Sequence, residues 1–239
     1  MISRHTLAVL LMASLLFSGC TTLEKTAFAP DSKKKIKTIA VIGVSEPDNY
    51  VLDPGQVTGG SALYAFGALG GLILGGIEAS RTENATKEFT ASVRGTQPGL
   101  AQHWNESLIT LLQSKGYQVT QLPPLPKKDG KNEVDCSSTV GKFDAVLLST
   151  LAMTGYVVES MVEPRVVASV RLLSNDCVET NFSDGYIYSA KSLGKLTHII
   201  RDAELSFPSR EALLADPQKA RRAMRTGLTE IAKTVSSEF

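Results

Sequence analysis

The chain has 239 residues, with 25 lysines and arginines against 24 aspartates and glutamates, and it is 43% hydrophobic but only 21% charged. This composition excludes a disordered polyelectrolyte and a protein with many membrane spans, and the net charge of +1 argues against a nucleic-acid-binding surface or a polybasic membrane patch. The length suits one globular domain with appendages.

Residues 1–19 are predicted to be an export signal. Arg4 and the amino terminus supply positive charge, and Leu7 to Phe17 form a run of 11 apolar or small residues. That run is too short for a membrane span, which needs about 20 residues. The stretch from Leu16 to Cys20 resembles the lipobox of bacterial lipoproteins, with Phe17 where that family usually has leucine. The resemblance implies that Cys20 is acylated and becomes the new amino terminus; the alternative is an ordinary secretory signal with an incidental cysteine.

The residue after Cys20 is Thr21 and not aspartate, which resembles the outer-membrane class of lipoproteins. We therefore expect a lipid-anchored protein of the outer membrane that faces the periplasm. Its contact with the membrane would be the N-terminal lipid, because several acyl chains hold a protein firmly without a polybasic patch. Residues 20–36 are mostly polar and include Pro30 and three consecutive lysines, so they are predicted to be a solvated, lipidated tether.

The other two cysteines are Cys136 and Cys177. Two thiols in an oxidising compartment predict one disulfide, which would close a loop of about 42 residues and stabilise the fold by about 4 kcal/mol in the chain-entropy model. Two buried free cysteines are the alternative. His103 and His198 do not lie at ligand spacing from a cysteine, so neither a metal site nor a cofactor is expected.

A single periplasmic domain is predicted over residues 37–239, with a glycine-rich apolar insertion at 54–80. No charged residue occurs from 54 to 77, and Gly67, Gly71 and Gly75 are spaced four apart. On a helix they would form a face that another helix can approach closely, as an oligomer or membrane contact. Five glycines would cost an exposed helix about 5 kcal/mol relative to alanine. Lipid, a partner helix or the protein's own domain must offset this cost, and a glycine-rich hairpin or loop packed on the domain is the alternative.

The remaining elements predict an α/β fold with a mixed sheet. A β-branched strand at 37–44 leads, after the insertion and a weakly helical stretch at 81–94, to a helix at 98–114 and a strand at 117–122. The later strands should be antiparallel, since a turn at 174–176 joins two long alternating runs. Asp216 and Pro217 begin an amphipathic C-terminal helix, as N-cap and first helical residue.

This order of elements resembles the domain shared by curli-secretion-channel lipoproteins, penicillin-binding-protein activator lipoproteins and the amino-terminal domain of the TolB translocation protein. The matching stretches are patterns without a diagnostic motif: 39–42, 108–117, 144–147, 170–173 and 220–235. The resemblance implies a non-catalytic envelope module that binds other proteins or assembles into rings.

No residue pattern indicates catalysis. The chain has no Gly-x-Ser-x-Gly elbow, His-Glu-x-x-His pair or Walker-type phosphate loop. Two carboxylate pairs occur, Asp202 with Glu204 and Glu159 with Glu163, but nothing in the sequence places either pair in a cleft. We therefore expect no enzyme and no nucleic-acid partner, but a protein-binding or assembly module with an envelope partner or self-assembly. The alternative is an oligomeric membrane-inserting component of an export or pore complex, built around the glycine-rich segment.

Overall fold

The computed structural model describes residues 25–53, 76–94, 99–126 and 134–239, and in the second range it describes side chains from residue 83 onward. The helices in these ranges are α1 Pro30–Lys35, α2 Gly76–Arg94, α3 Leu100–Ser114, α4 Arg210–Ala215 and α5 Pro217–Ser237. The strands are β1 Thr38–Ile42, β2 Val51–Asp53, β3 Gln118–Leu122, β4 Ala145–Val158, β5 Val162–Ser174, β6 Thr180–Ser189 and β7 Thr197–Ile200. A 3-10 turn lies at Ala203–Leu205.

The strands of the described ranges form one mixed sheet in the order β3-β1-β4-β5-β6-β7, with β2 beside the end of β4. β1 is parallel to β3 and to β4, and β4, β5 and β6 are successively antiparallel. A parallel pair needs a long crossover, which α3 and the chain before it provide between β1 and β3. The predicted mixed sheet with an amphipathic C-terminal helix is confirmed.

The helices α3 and α5 cover one face of the sheet. Trp104 of α3 is fully buried, and its indole N–H donates to Ser149 Oγ at 2.9 Å. On α5, a Cβ at Gly227 would lie 2.7 Å from the Tyr188 ring and 2.9 Å from Val166. The absent side chain therefore allows α5 to pack closely against β5 and β6.

The short strand β2 was not predicted. Its outer edge is closed by two threonines of α2, because the backbone N–H groups of Tyr50 and Leu52 donate to Thr90 Oγ1 at 2.9 Å and Thr86 Oγ1 at 3.1 Å. On its inner edge β2 pairs with β4. Three residues are too few for an alternating pattern, so only the neighbouring helix and strand define this element.

The prediction of a solvated tether at 20–36 is wrong for residues 25–36, which we call the strap. Thr26 exchanges two backbone hydrogen bonds with Ser183 of β6, at 2.8 and 3.0 Å. Phe28 is buried, with its ring 5.1 Å from that of Phe239, and Ile36 is buried at the end of α1. The apolar site for Phe28 forms only when β6 and the C-terminus come together in the folded domain.

Helix α2 begins at Gly76, inside the predicted insertion at 54–80. This helix is anchored by Ala85, Phe89 and Val93, which are buried in the main core. Gly67, Gly71 and Gly75 lie outside the described residues, and their contact role stays a prediction. Among the helices that are described, none is both long enough and apolar enough to cross a membrane.

We expect the stabilising effect of Asp144 to depend on pH. Its Oδ2 accepts hydrogen bonds from Lys37 N and Thr38 N, both at 2.8 Å, and from Thr38 Oγ1 at 2.9 Å. Burial alone would raise the pKa of this carboxyl, but the three hydrogen bonds outweigh it and lower the pKa below its ordinary value. The resulting stabilisation is present above the unfolded-state pKa of about 3.9 and is lost as the pH falls through the lower folded-state pKa.

Asp144→Asn should therefore lower the free energy of unfolding more at pH 7 than at pH 3. Urea unfolding of both proteins at the two pH values measures this difference. An equal loss at both pH values would show that the carboxylate charge contributes nothing.

Candidate functional site

A cleft of about 650 Å³ opens at the carboxyl ends of β1 and β3, beside the amino terminus of α3. A second hollow of about 400 Å³ adjoins it along Gly43, Ser45 and the segment 121–124. In open α/β sheets, ligands bind outside the carboxyl ends of the strands. The polar side chains that line the larger cleft come from the loop after β1, from α2, α3 and β3, and from α5: Glu46, Tyr50, Arg94, Gln102, Asn105, Glu106, Gln121 and Arg221.

The loop that follows β1 is fixed by Asn105 of α3. Its Oδ1 accepts from Val44 N at 3.1 Å, and its Nδ2 donates to Val44 O at 3.2 Å, as a neighbouring strand would. Asn105 is buried, although its position in the helical pattern predicts the solvated side. The sequence carries no signal for this role, because the partner is a backbone group 61 residues away.

Glu46 caps the amino terminus of α3. Its Oε1 accepts from Leu100 N at 2.9 Å and its Oε2 from Ala101 N at 2.8 Å. The N-cap residue, Gly99, has no side chain to do this, and a Cβ there would lie 2.6 Å from Glu46 Oε2. The negative charge of the carboxylate also interacts favourably with the positive end of the helix dipole.

Tyr50 joins this network from the loop before β2. Its hydroxyl donates to Glu46 Oε1. Burial, followed by the hydrogen bond and charge of Glu46, raises the pKa of Tyr50 well above its usual range. The phenol therefore stays protonated at neutral pH and acts as a hydrogen-bond donor.

Two arginines hold the opposite walls of the cleft. Arg94, the last residue of α2, donates to Pro47 O at 3.3 Å and to Asp48 O. The buried Arg221 of α5 donates to Val93 O at 3.1 Å. Both guanidinium groups thus bind backbone carbonyl oxygens. The cleft is lined by charged side chains together with amide and apolar groups.

Removing the Glu46 carboxylate should destabilise the amino terminus of α3 and the loop after β1. We expect Glu46→Ala to lower the free energy of unfolding by about 1–2 kcal/mol, because two helix N–H groups and the Tyr50 hydroxyl lose their acceptor. The matched control is Glu106→Ala, since Glu106 lies on α3 and accepts only an exposed side-chain hydrogen bond from Gln102. Chemical denaturation measures both variants. Equal effects would contradict the capping role.

His103 and His198 make hydrogen bonds within the fold. His103 Nε2 lies 2.9 Å from Thr229 Oγ1, and Arg225 Nη2 lies 3.3 Å from His103 Nδ1, so this ring joins α3 to α5. Burial and then the Arg225 charge lower the pKa of His103. His198 lies on β7 and not in a loop, with Nε2 3.0 Å from Ser189 O. Both rings thus make hydrogen bonds between neighbouring elements of the fold.

Three of the four carboxylates that the sequence singled out are also engaged. Glu163 pairs with Arg201 at 2.6 Å, Glu159 pairs with Arg165 and Lys191, and Asp202 caps the 3-10 turn by accepting from Glu204 N at 2.9 Å. Across the described ranges, no three His, Cys, Asp or Glu side chains lie close enough together to hold a metal ion.

Cys136 and Cys177 are joined in a disulfide, with their Cα atoms 5.9 Å apart, in agreement with the cysteine count. Thr139 Oγ1 donates to Asn175 O at 2.6 Å and ties the same two loops together. The bond lies beside a small apolar cluster on the sheet face opposite α3 and α5, formed by Ala40, Ile42 and Val146. Cys20, the predicted lipidation site, lies outside the described residues.

Neither the known protein families nor the curated proteins include a match to this chain. Protein XCC0632 from Xanthomonas campestris, of family DUF330, has a similar fold with a TM-score of 0.40 and 10% identity, over 90% of this chain and 89% of that one. Lipoprotein GNA1162 from Neisseria meningitidis has a TM-score of 0.30 and 14% identity, over 66% and 88%. A neuraminyllactose-binding hemagglutinin homolog from Helicobacter pylori has a TM-score of 0.33 and 13% identity, over 91% of each chain. These likenesses are too distant to assign a family or a function.

Proposed function

We propose that the chain is a lipid-anchored cell-envelope protein that acts as a non-catalytic protein-binding or assembly module at the outer membrane, facing the periplasm. The proposal rests on the positions and bonding of the three cysteines. Cys136 and Cys177 are bonded to each other, as is usual in an oxidising compartment. The third, Cys20, follows an apolar run too short to span a membrane and completes the lipobox-like stretch.

The cleft supports a binding role. Glu46, Arg94 and Arg221 are engaged with backbone groups, Glu106 accepts from the Gln102 amide, and Gln121 also lines the cleft. Such a recess presents hydrogen-bonding groups to a partner. A polypeptide chain, which offers both donors and acceptors, fits these amides.

Lipidation is tested by growing cells with a labelled fatty acid. The wild-type protein should take up the label, and Cys20→Ala should abolish it and release the protein from membranes. The control is the double variant Cys136→Ala with Cys177→Ala, which should keep the label because it retains Cys20. Equal labelling of Cys20→Ala and wild type would refute the lipid anchor.

The binding role is tested with a photo-reactive residue placed in intact cells. At Gln102, in the cleft, we expect a crosslink to an envelope protein. At Gln113, exposed at the other end of α3, we expect none. Identification of the adduct by mass spectrometry would name the partner. The same adduct from both positions, or none from Gln102, would contradict binding in the cleft.

The assembly alternative is tested at Gly71. If Gly67, Gly71 and Gly75 let helices meet, Gly71→Leu should reduce the mass of the detergent-purified particle while the domain stays folded. If the segment packs on its own domain, overpacking should lower stability by about 1–3 kcal/mol at unchanged mass. We expect the second result. Particle mass and melting temperature, measured on the same sample, separate the two.

A further inference from the structure

The strap is fixed to β6 by an ion pair between the exposed Lys25 and the buried carboxylate of Asp184. Lys25 Nζ lies 2.7 Å from Oδ2 of Asp184, whose side chain is only 3% exposed. The same carboxylate accepts from Thr197 Oγ1 and from Gly185 N, both at 2.8 Å. A buried carboxylate needs such partners, so Lys25 is held in place. The backbone pairing of Thr26 with Ser183 continues the contact along the strap.

Only residues 21–24 separate Cys20 from Lys25. Covalent geometry limits five Cα–Cα steps to about 18 Å even when the chain is fully extended. If Cys20 carries the lipid, as the proposed function requires, Lys25 must therefore lie within about 18 Å of the bilayer surface.

The strap and β7 occupy the same edge of the sheet, next to β6, and β3 forms the opposite edge. Five strand intervals separate the two edges, which corresponds to about 24 Å at the usual spacing. This width exceeds the reach from Cys20 to Lys25. The domain therefore cannot rest on the bilayer by its β3 edge.

We propose that the edge formed by the strap and β7 is the membrane-facing surface of the domain, and that its partner is the headgroup layer of the bilayer. Ile200, at the end of β7, is 78% exposed, and Lys195, in the loop before β7, is also exposed. Exposed apolar and cationic side chains on the same edge suit the interfacial layer of a membrane. The cleft, which Gln121 of β3 helps to line, then faces away from the membrane toward the periplasm.

The orientation is tested with the acylated full-length protein in vesicles of phosphatidylethanolamine and phosphatidylglycerol that contain a headgroup-labelled quenching lipid. A fluorophore is attached to Ile200→Cys or to Gln121→Cys without reducing agent, so that the native disulfide stays closed. We expect several-fold stronger quenching at position 200 than at position 121. Equal quenching, or stronger quenching at 121, would overturn the proposed orientation while leaving the lipid anchor intact.

A lengthened tether provides the matched control. Ten glycine and serine residues inserted between Glu24 and Lys25 keep the strap contacts but add up to about 35 Å of reach. We expect the difference between the two positions to shrink in this variant, because only Ile200 and Lys195 then favour this edge. A difference as large as in the unmodified chain would overturn the claim that the short tether sets the orientation. A wild-type chain that carries no acyl group and washes off the vesicles would overturn the proposed function and the orientation together.

Discussion

Gly155→Ala is expected to lower the free energy of unfolding by about 3 kcal/mol or more, because β2 pairs with β4 at that position and leaves no room for a side chain. A Cβ on Gly155 would lie 1.9 Å from the carbonyl oxygen of Val51 and 2.8 Å from its nitrogen. These are backbone atoms, so no rotamer change can relieve the overlap. β2 cannot move away either, since Thr86 and Thr90 hold its other edge.

The measurement is thermal and urea unfolding of the purified domain. For a domain of about 200 residues, a loss of about 3 kcal/mol corresponds to a fall in Tm of about 10 °C. Gly116→Ala is the matched control, because Gly116 has a φ of +91° but no atom lies within 4 Å of the place that its Cβ would take. Gly116→Ala should lower the free energy of unfolding only through backbone strain, by about 1–2 kcal/mol. Equal effects of the two changes would show that β2 does not pack against Gly155 as described.

Removing the disulfide should have the second large effect. The double variant Cys136→Ala with Cys177→Ala is expected to lose about 4 kcal/mol, because the unfolded chain regains the freedom of a closed loop of about 42 residues. The hydrogen bond from Thr139 to Asn175 remains but is too weak to replace the covalent link. Urea unfolding measures the loss, and reduced wild-type protein should match the double variant.

The backbone conformation of Cys177 allows a second variant that tests the same role. Its φ is +60°, in the left-handed region that costs a residue with a Cβ about 1–2 kcal/mol. Cys136→Ala with Cys177→Gly should therefore recover part of the loss seen with alanine at both positions. A double alanine variant within about 1 kcal/mol of oxidised wild type would contradict the stabilising role of the bond.

The sequence by itself determined the elements whose side chains repeat with the period of a helix or strand. The C-terminal helix is one, since Ala220, Leu228 and Ile231 recur on one face and the Asp216 side chain accepts from Lys219 N at its start. The hairpin of β5 and β6 is another, because alternating residues flank an evident turn. The pairing of Cys136 with Cys177 followed from counting, as only two cysteines were left to pair.

Only the tertiary structure decided the features that depend on contacts between distant segments. Phe28 is buried because Phe182 and Phe239 meet beside it, and Lys25 is fixed because Asp184 is buried on β6. The cleft arises in the same way, since Glu46 caps a helix that begins 54 residues later. A local pattern records which face of a segment is buried, and it carries no information about which remote backbone group a polar side chain will reach. The sequence therefore predicted the sheet and the C-terminal helix, while the docked strap and the walls of the cleft became visible only in the folded domain.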